Sequence, residues 1–286
     1  MKKEDLIKIA SCFIENSEDN TITEEIAISE NVVGMKIFES PIFGFGSAGD
    51  EYFTLFKDPK AIGEHFLLPK KWLPHAKTVI SFFLPFTQAV KIGNRKDMSW
   101  PSEEWLHGRI EGQVLINKLC FRLKSELINK GYNTIAPSID ERFWSKAAFN
   151  KDSSHGDISF TSNWSERHAA FVCGLGTFGL SKGLITREGM AGRFGSIITE
   201  LYLTPDKRPY QDIYEYCSRC GACAKNCPVD AISLENGKNH NICSKFLDIT
   251  SEKFKPRYGC GKCQIGVPCE NKIPKVKGMK KPSLET

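Results

Sequence analysis

The stretch from Cys217 to Cys269 constrains this chain more than any other, because it holds most of the eleven cysteines in the 286-residue sequence. The first four follow the order C-x2-C-x2-C-x3-C, with Pro228 next. Four more follow within the same stretch. The full set is Cys217, Cys220, Cys223, Cys227, Cys243, Cys260, Cys263 and Cys269. The spacing of these thiols decides what this part of the chain folds around.

The first run is the pattern with which bacterial ferredoxins hold [4Fe–4S] clusters. Two-residue gaps in a tight loop bring three sulfurs round one cluster, whereas the fourth cysteine, three residues on and before a proline, ligates the other cluster. We therefore predict two [4Fe–4S] clusters. The first takes Cys217, Cys220, Cys223 and the remote Cys269. The second takes Cys227, Cys243, Cys260 and Cys263.

Structural zinc and disulfides are the alternatives to iron–sulfur. Zinc ribbons also contain C-x2-C pairs, but they use two such pairs rather than a run of four that ends in C-P. Disulfides are disfavoured because Glu4 and Asp5 interrupt the N-terminal segment, which leaves no secretion signal. Apolar runs of membrane-spanning length are also absent from the sequence, so we expect a cytoplasmic protein without a membrane span.

The region before the cysteines predicts an α/β domain. Residues 78–84 form an apolar run closed by Pro85, which is typical of a buried strand. Ser102 can cap a long helix that ends at Gly131, and a short strand follows at 134–136. Strand, long helix and strand form a βαβ unit, so we expect helices packed against a sheet.

The remaining local expectations concern single segments. We expect a helix over 4–16, a loop over 40–47, a helix over 163–173, and strands over 183–186 and 195–203. The apolar stripe of the long helix is expected at Ile110, Val114, Leu119, Leu123 and Leu127. The cysteines outside the ligand set, which we expect to be buried as small hydrophobes, are Cys12, Cys120 and Cys173.

Three parts of the chain follow from these patterns. We predict a cofactor- and substrate-binding α/β domain over 1–208, a two-cluster ferredoxin-like module over 209–272 and a basic C-terminal tail over 273–286. Hydrophobic content of 41% and charge of 26% are those of an ordinary soluble protein. The net charge of +5 falls partly in the tail, where a solvated segment is favoured over a nucleic-acid patch.

A glycine-rich segment, G-L-G-T-F-G at 174–179, fits the dinucleotide fingerprint G-x-G-x-x-G. That fingerprint needs a strand before it and a helix after it. Here a predicted helix precedes the segment and a strand follows, so the dinucleotide interpretation is disfavoured. The glycines instead end the helix and let the backbone approach a large ligand.

Three motifs upstream of the cysteines are more specific in combination: W-S-E-R-H-A-A at 164–170, the glycine segment at 174–179, and G-S-I-I-T-E-L at 195–201. Together with the cysteine run they resemble the epoxyqueuosine reductases, a family related to the reductive dehalogenases. The resemblance extends from about residue 75 to about residue 270.

The resemblance implies a cobalamin bound with its lower base displaced, between a domain similar to flavin reductases and the ferredoxin-like module. Electrons would pass from a ferredoxin or flavodoxin through both clusters to the cobalamin, which reduces the substrate. Arg167 would lie over the substrate face, where a guanidinium stabilises developing negative charge. The residues expected against the corrin are Gly174, Gly176, Phe178, Gly179, Gly195 and Ser196. Flavin in place of cobalamin is the weaker alternative.

The chain departs from the family at its proton donor. Phe160 stands where the family has an aspartate, so Asp157, His155 and His168 are the candidate substitutes. We also expect this protein to do without the C-terminal helical-repeat domain of the family, which is associated with tRNA. We therefore expect a small, partly apolar or anionic substrate rather than tRNA. The competing function is an electron carrier or corrinoid-reducing partner that has no substrate of its own.

Overall fold

The computed structural model describes residues 1–146 and 161–275. The helices are α1 Lys3–Asn16, α2 Glu51–Leu55, α3 Pro69–Trp72, α4 Gln88–Gly93, α5 Glu103–Asn129, α6 Glu166–Val172, α7 Ala222–Lys225 and α8 His240–Lys253. The strands are β1 Ile42–Ser47, β2 Thr78–Pro85, β3 Thr134–Ile135, β4 Ser145–Lys146, β5 Thr161–Ser162, β6 Gly176–Phe178, β7 Leu184–Thr186, β8 Gly192–Thr199, β9 Ile232–Ser233 and β10 Gly237–Lys238. The chain is thus a mixed α/β protein.

The main sheet has the order β1-β2-β8-β3, and every neighbouring pair is antiparallel. The predicted succession of strand, long helix and strand is confirmed as β2, α5 and β3. Because β8 lies between β2 and β3, the two strands of this unit do not touch. Pairing of β3 with β8 involves only Ile198 and Thr199 of β8, so residues 192–197 have β2 as their one strand partner in the described part of the chain.

Both faces of β2 are covered, which explains its continuous apolar sequence. Ile80, Phe82 and Leu84 join the core that includes α1 and α5. Val79 and Phe83 point the other way, into the core that includes α6. This alternation is the two-residue period of a strand buried on both sides.

Helix α5 begins and ends as its sequence predicts. The Ser102 hydroxyl accepts a hydrogen bond from the Trp105 amide at 3.3 Å, and Gly131 adopts φ +84° just beyond the last turn. The expected apolar stripe is partly wrong, because Val114 is 49% exposed. The sheet instead covers a face that includes Leu115 and Ile116, one and two residues further along.

The expected loop at 40–47 is wrong, since this segment contains β1. Gly44 and Gly46 make the strand possible by leaving room for the end of α6. A Cβ on Gly44 would stand 2.3 Å from the Cys173 carbonyl oxygen, and one on Gly46 would stand 3.1 Å from the Cys173 sulfur. The glycines therefore serve close packing within the protein rather than a loop.

Other boundaries differ by a few residues. Helix α6 begins at Glu166 rather than near 163, and β8 covers 192–199 rather than 195–203. Gly174, at φ +83°, ends α6 as expected. Cys120 and Cys173 are buried as expected, whereas Cys12 is exposed because it lies on the outer face of α1.

The cysteine-rich region packs directly on the α/β domain. Arg257 donates to Glu111 of α5 at 2.5 Å, and a Cβ on Gly261 would stand 2.0 Å from the Trp105 ring. In the part of the chain that the structure describes, no helix combines the length and apolar character needed to cross a bilayer. The boundary predicted at 208/209 stays a prediction.

Candidate functional site

The cysteines form two groups of four. In the first group, the thiols line one pocket together with Gly179, Leu180 and Met190. Burial, followed by the neighbouring thiols of this group, raises the pKa of Cys269 to about 12. The members of this group are Cys217, Cys220, Cys223 and Cys269. The long loop before Cys269 therefore does not keep this residue from the other three.

The second group lies beside the first. Burial raises the pKa of Cys263, and the nearby Cys243 and Cys227 contribute to this increase. Burial, followed by Cys263 and Cys243, raises the pKa of Cys260 to about 12, although the Lys262 amide partly offsets this. The two groups contain the cysteines of the two predicted ligand sets, and the assignment of each set to one cluster stays a prediction.

The described residues contain no group of three or more His, Cys, Asp or Glu side chains close enough to hold a single metal ion. A tetrahedral zinc with Zn–S bonds of about 2.3 Å would need sulfurs about 3.8 Å apart. A four-iron cubane is larger and holds its thiolates further apart.

The loops around both groups fit cubane clusters. The Leu180 amide donates to the Cys217 sulfur at 3.4 Å, and the Ala231 amide donates to the Cys227 sulfur at 3.2 Å. Such N–H···S bonds stabilise the negative charge of a reduced cluster. Gly221 and Gly261 each follow a cysteine and adopt φ values of +75° and +70°, which glycine tolerates best. The residues present fit two [4Fe–4S] clusters.

Lys262 anchors the loop of the second group to the α/β domain. Its side chain is fully buried, and its amine donates to the Asn94 carbonyl at 2.6 Å and to Asn94 Oδ1 at 2.7 Å. Asn94 in turn donates to the Cys260 carbonyl at 2.9 Å. The second group therefore has a fixed position relative to α4 and α5.

Arg167 lies beside the second cysteine group. Its guanidinium donates to the Lys182 carbonyl at 2.8 Å. The ionisable neighbours that influence its pKa are Cys263, Arg109 and Cys243. The side chain is exposed to solvent, and desolvation by the neighbouring protein is the main cause that lowers the pKa of its guanidinium. Arg167 thus lies next to the predicted second cluster.

Glu166, the preceding residue, is a functional candidate that the sequence did not single out. Both carboxylate oxygens are buried and have no hydrogen-bond partner, although other atoms of the residue are partly exposed. Burial raises the pKa of this carboxyl to about 8, and the nearby Ser196 hydroxyl and Trp164 indole offset only part of the increase. The carboxyl is therefore neutral at pH 7 and can donate a proton.

His168 occupies an apolar environment that does not suit a proton donor. Its ring lies 4.7 Å from the Phe56 ring and 4.8 Å from the Phe178 ring, and Nδ1 is 2.7 Å from the Ser165 hydroxyl. Burial, followed by the charge of Arg167, lowers the pKa of His168 to about 3. The imidazole is therefore neutral. The other candidates, Asp157 and His155, and also Phe160, lie outside the described residues.

The contact of six residues with the corrin stays a prediction, and the structure shows what several of them contact within the protein. A Cβ on Gly176 would stand 1.9 Å from the Ile185 carbonyl oxygen, and one on Gly195 would stand 2.4 Å from the Phe82 ring. These glycines therefore permit packing within the protein. Gly174 lies at the end of α6, and Gly179 lies by the first cysteine group. Phe178 is buried against the rings of Phe171 and His168. The Ser196 hydroxyl accepts a hydrogen bond from the Trp164 indole.

A family model described as a 4Fe-4S binding domain matches residues 210–233. An epoxyqueuosine reductase of Francisella cf. novicida (strain Fx1) is 32% identical over 122 residues, which are 38% of this chain and 33% of the relative. A tetrachloroethene reductive dehalogenase of Desulfitobacterium hafniense is 40% identical over 109 residues, which are 36% of this chain and 20% of the relative. The chain is thus a divergent relative of both and spans a third or less of their length.

Solved structures show the same fold. An epoxyqueuosine reductase with an epoxyqueuosine-modified tRNA-Tyr stem loop superposes with a TM-score of 0.51 at 22% identity, over 80% of this chain and 61% of that chain. A catabolic reductive dehalogenase superposes with a TM-score of 0.52 at 16% identity, over 82% of this chain and 30% of that chain. These likenesses concern the architecture, a mixed α/β domain joined to a ferredoxin-like 4Fe-4S module.

Proposed function

We propose that this chain is an iron–sulfur oxidoreductase that passes electrons through two [4Fe–4S] clusters to a bound cobalamin, which reduces a small-molecule substrate. The observation that carries the proposal is the arrangement of eight cysteines in two groups of four, one of which adjoins Arg167. The partial sequence matches to two classes of reductase support it.

The electron path follows from the positions of the two groups. Cys220 of the first group is exposed, which suits entry of electrons from a low-potential ferredoxin or flavodoxin. Cys263 of the second group lies close enough to Cys223 of the first to raise the pKa of that thiol. Cys263 is also close to Arg167. The proposed order is therefore donor, first cluster, second cluster and reaction site.

The region around Arg167 is the proposed cofactor site. When bound, cobalamin supplies a strongly reducing cobalt centre. The buried, unpartnered polar atoms of Arg109, Arg193 and Glu166 fit a site that a polar cofactor and its substrate complete. The antiparallel sheet would correspond to that of a flavin-reductase-like domain, and flavin bound near Arg167 is the alternative.

Arg167 and Glu166 have distinct proposed roles. The Arg167 guanidinium stabilises negative charge that develops on the substrate during reduction. The neutral Glu166 carboxyl holds the proton that balances this charge, a role that suits a group whose pKa lies near the working pH. Asp157 is kept as a second proposed donor, whereas the low pKa of His168 speaks against the role first expected for it.

The proposed substrate is a small molecule rather than tRNA. Phe160 stands at the position of the family's acid, and loss of a positioned proton donor costs about 10²–10⁴-fold in rate. A reductase for epoxyqueuosine in tRNA would therefore be slow unless another group donates the proton. Turnover of epoxyqueuosine-containing tRNA at about 1 s⁻¹ or faster would contradict this part of the proposal.

The test of the proposed function uses anaerobically purified protein. Iron and sulfide analysis should give about eight of each per chain. Titration with cob(II)alamin should then give the EPR signal of the base-off form. Stoichiometric zinc without broad visible absorbance would contradict the cluster assignment. Tight flavin binding without any cobalamin signal would replace the cobalamin proposal with the flavin alternative.

An electron carrier without its own substrate is the second candidate, and the loss of the family's acid at Phe160 favours it. Electron transfer to free corrinoid, in the absence of a bound corrinoid, would distinguish a carrier from a reductase.

A further inference from the structure

Three arginines from separate elements lie near one another, and one of them, Arg167, adjoins the second cysteine group. Arg109 lies on α5, Arg167 on α6 and Arg193 on β8. The charge of Arg109 lowers the pKa of Arg167 and of Arg193, and the charge of Arg167 also lowers the pKa of Arg193. The convergence of three permanent positive charges is costly unless an anion is bound among them.

The side chain of Arg193 is held in place, but only part of its hydrogen-bonding capacity is used. Its Nη2 donates to the Gln113 side chain, one helical turn beyond Arg109 on α5. Its Nε is buried and has no hydrogen-bond partner. Burial, followed by repulsion from Arg109, lowers its pKa to about 9. The protein therefore fixes a guanidinium with a buried Nε in position without neutralising its charge.

Arg109 shows the same pattern. Its guanidinium carbon lies 4.2 Å from the centroid of the Tyr258 ring, a cation–π contact that orients the side chain. Its Nε is also buried and without a partner. Two neighbouring guanidiniums thus keep unused donors in the same region.

Carboxylates do not balance these charges in residues 1–146 and 161–275. No carboxylate is among the charged groups that act on Arg167 or Arg193. None of the ion pairs in that part of the chain involves any of the three arginines. The second group of thiolates partly balances Arg167, but it is not among the groups that act on Arg193.

We propose that Arg109, Arg167 and Arg193 form an anion-binding site, and that the substrate carries a carboxylate or phosphate group that binds there. The inference rests on the proposed function for its view of the ligand as substrate. Guanidiniums recognise both anions through paired N–H donors, which matches the unused Nε atoms.

A phosphate could come instead from the nucleotide tail of cobalamin. The shared chemistry is an oxyanion on the three guanidiniums, and the two sources can be separated. Cobinamide lacks the nucleotide tail, so its affinity is independent of any contact with the tail phosphate.

The test measures binding of benzoate and inorganic phosphate to the cluster-loaded, cobalamin-free protein by calorimetry. The variants are Arg109→Gln and Arg193→Gln, and the control is Arg122→Gln, an exposed arginine on the same helix that pairs with Glu126. Each site variant should weaken anion binding about tenfold or more, because a hydrogen bond to a charged group is lost. The control should bind as the parent protein does. A parallel titration compares cobalamin with cobinamide.

The outcomes are distinct. Weaker anion binding with unchanged binding of both corrinoids supports a substrate anion. Weaker binding of cobalamin, but not of cobinamide, supports the anion site and assigns it to the tail phosphate. Unchanged binding of every probe in both variants overturns the proposal. If no corrinoid binds to any variant, the proposed function fails while the anion titration still decides this inference. Should Arg193→Gln lose its clusters, Arg193→Lys tests the same position with the charge kept.

Discussion

Replacement of Glu166 by glutamine tests the claim that this carboxyl is neutral in the folded protein. The change keeps the shape of the side chain and removes its acidity. Folding raises the pKa of Glu166 from 4.5 to about 8, so the folded state favours the protonated form. The associated stability is fully present below pH 4.5 and is lost as the pH rises through about 8.

The size of the effect follows from the same two pKa values. Between pH 6 and pH 9 the parent protein should lose about 3 kcal/mol, since one pKa unit corresponds to about 1.4 kcal/mol and two units separate pH 6 from the pKa of about 8. Glu166→Gln has no proton to lose and should not show this loss. For a chain of this size, the difference corresponds to roughly 5–10 °C in thermal midpoint.

The assay is thermal unfolding of cluster-loaded protein under argon at pH 6 and pH 9, with one fixed scan rate for all samples. Glu188→Gln, a change at an exposed glutamate, is the matched control. Infrared difference spectra between the parent and Glu166→Gln should also show a protonated carboxyl band at pH 7. Parallel pH profiles for the parent and Glu166→Gln, with no such band, would refute the reasoning.

Three further predictions concern the clusters and His168. Cys269→Ala should lower iron from about eight to about four per chain, because the first cluster loses its remote ligand; an unchanged iron content would separate Cys269 from that cluster. Gly261→Ala should cost several kcal/mol and release the second cluster, because its Cβ would stand 2.0 Å from the Trp105 ring, whereas Gly34→Ala, with φ +77° and nothing within 4 Å, should cost about 1 kcal/mol. His168→Asn should leave the pH profile of turnover unchanged, and loss of a titration near neutral pH would restore His168 as the proton donor.

The cysteine groups were predictable because ligand spacing is a local property. Three thiols within seven residues can reach one cluster whatever surrounds them, and the cysteine before Pro228 turns to the other. The structure brings Cys269, which is remote in sequence from the C-x2-C-x2-C run, to the first group. The core strand β2 was predictable for a similar reason, since its eight residues are apolar or small and all are buried.

The rest of the site depends on tertiary structure. Arg109, Arg167 and Arg193 are far apart in sequence and carry no shared motif, so only the packing of α5, α6 and β8 reveals them. The raised pKa of Glu166 likewise comes from burial of its carboxylate oxygens rather than from its neighbours in sequence. The role of the glycines at 174–179 against a cofactor stays a prediction. At Gly176 the absence of a side chain also serves packing, because a Cβ would stand 1.9 Å from the Ile185 carbonyl oxygen.

The most direct test of the central claim is EPR spectroscopy of the reduced, cluster-loaded protein mixed anaerobically with one equivalent of cob(II)alamin. The account predicts a base-off cob(II)alamin signal that disappears as the reduced clusters are oxidised, with the two changes matched in electron count. A cob(II)alamin signal that keeps its base-on form and persists while the clusters stay reduced would contradict the account.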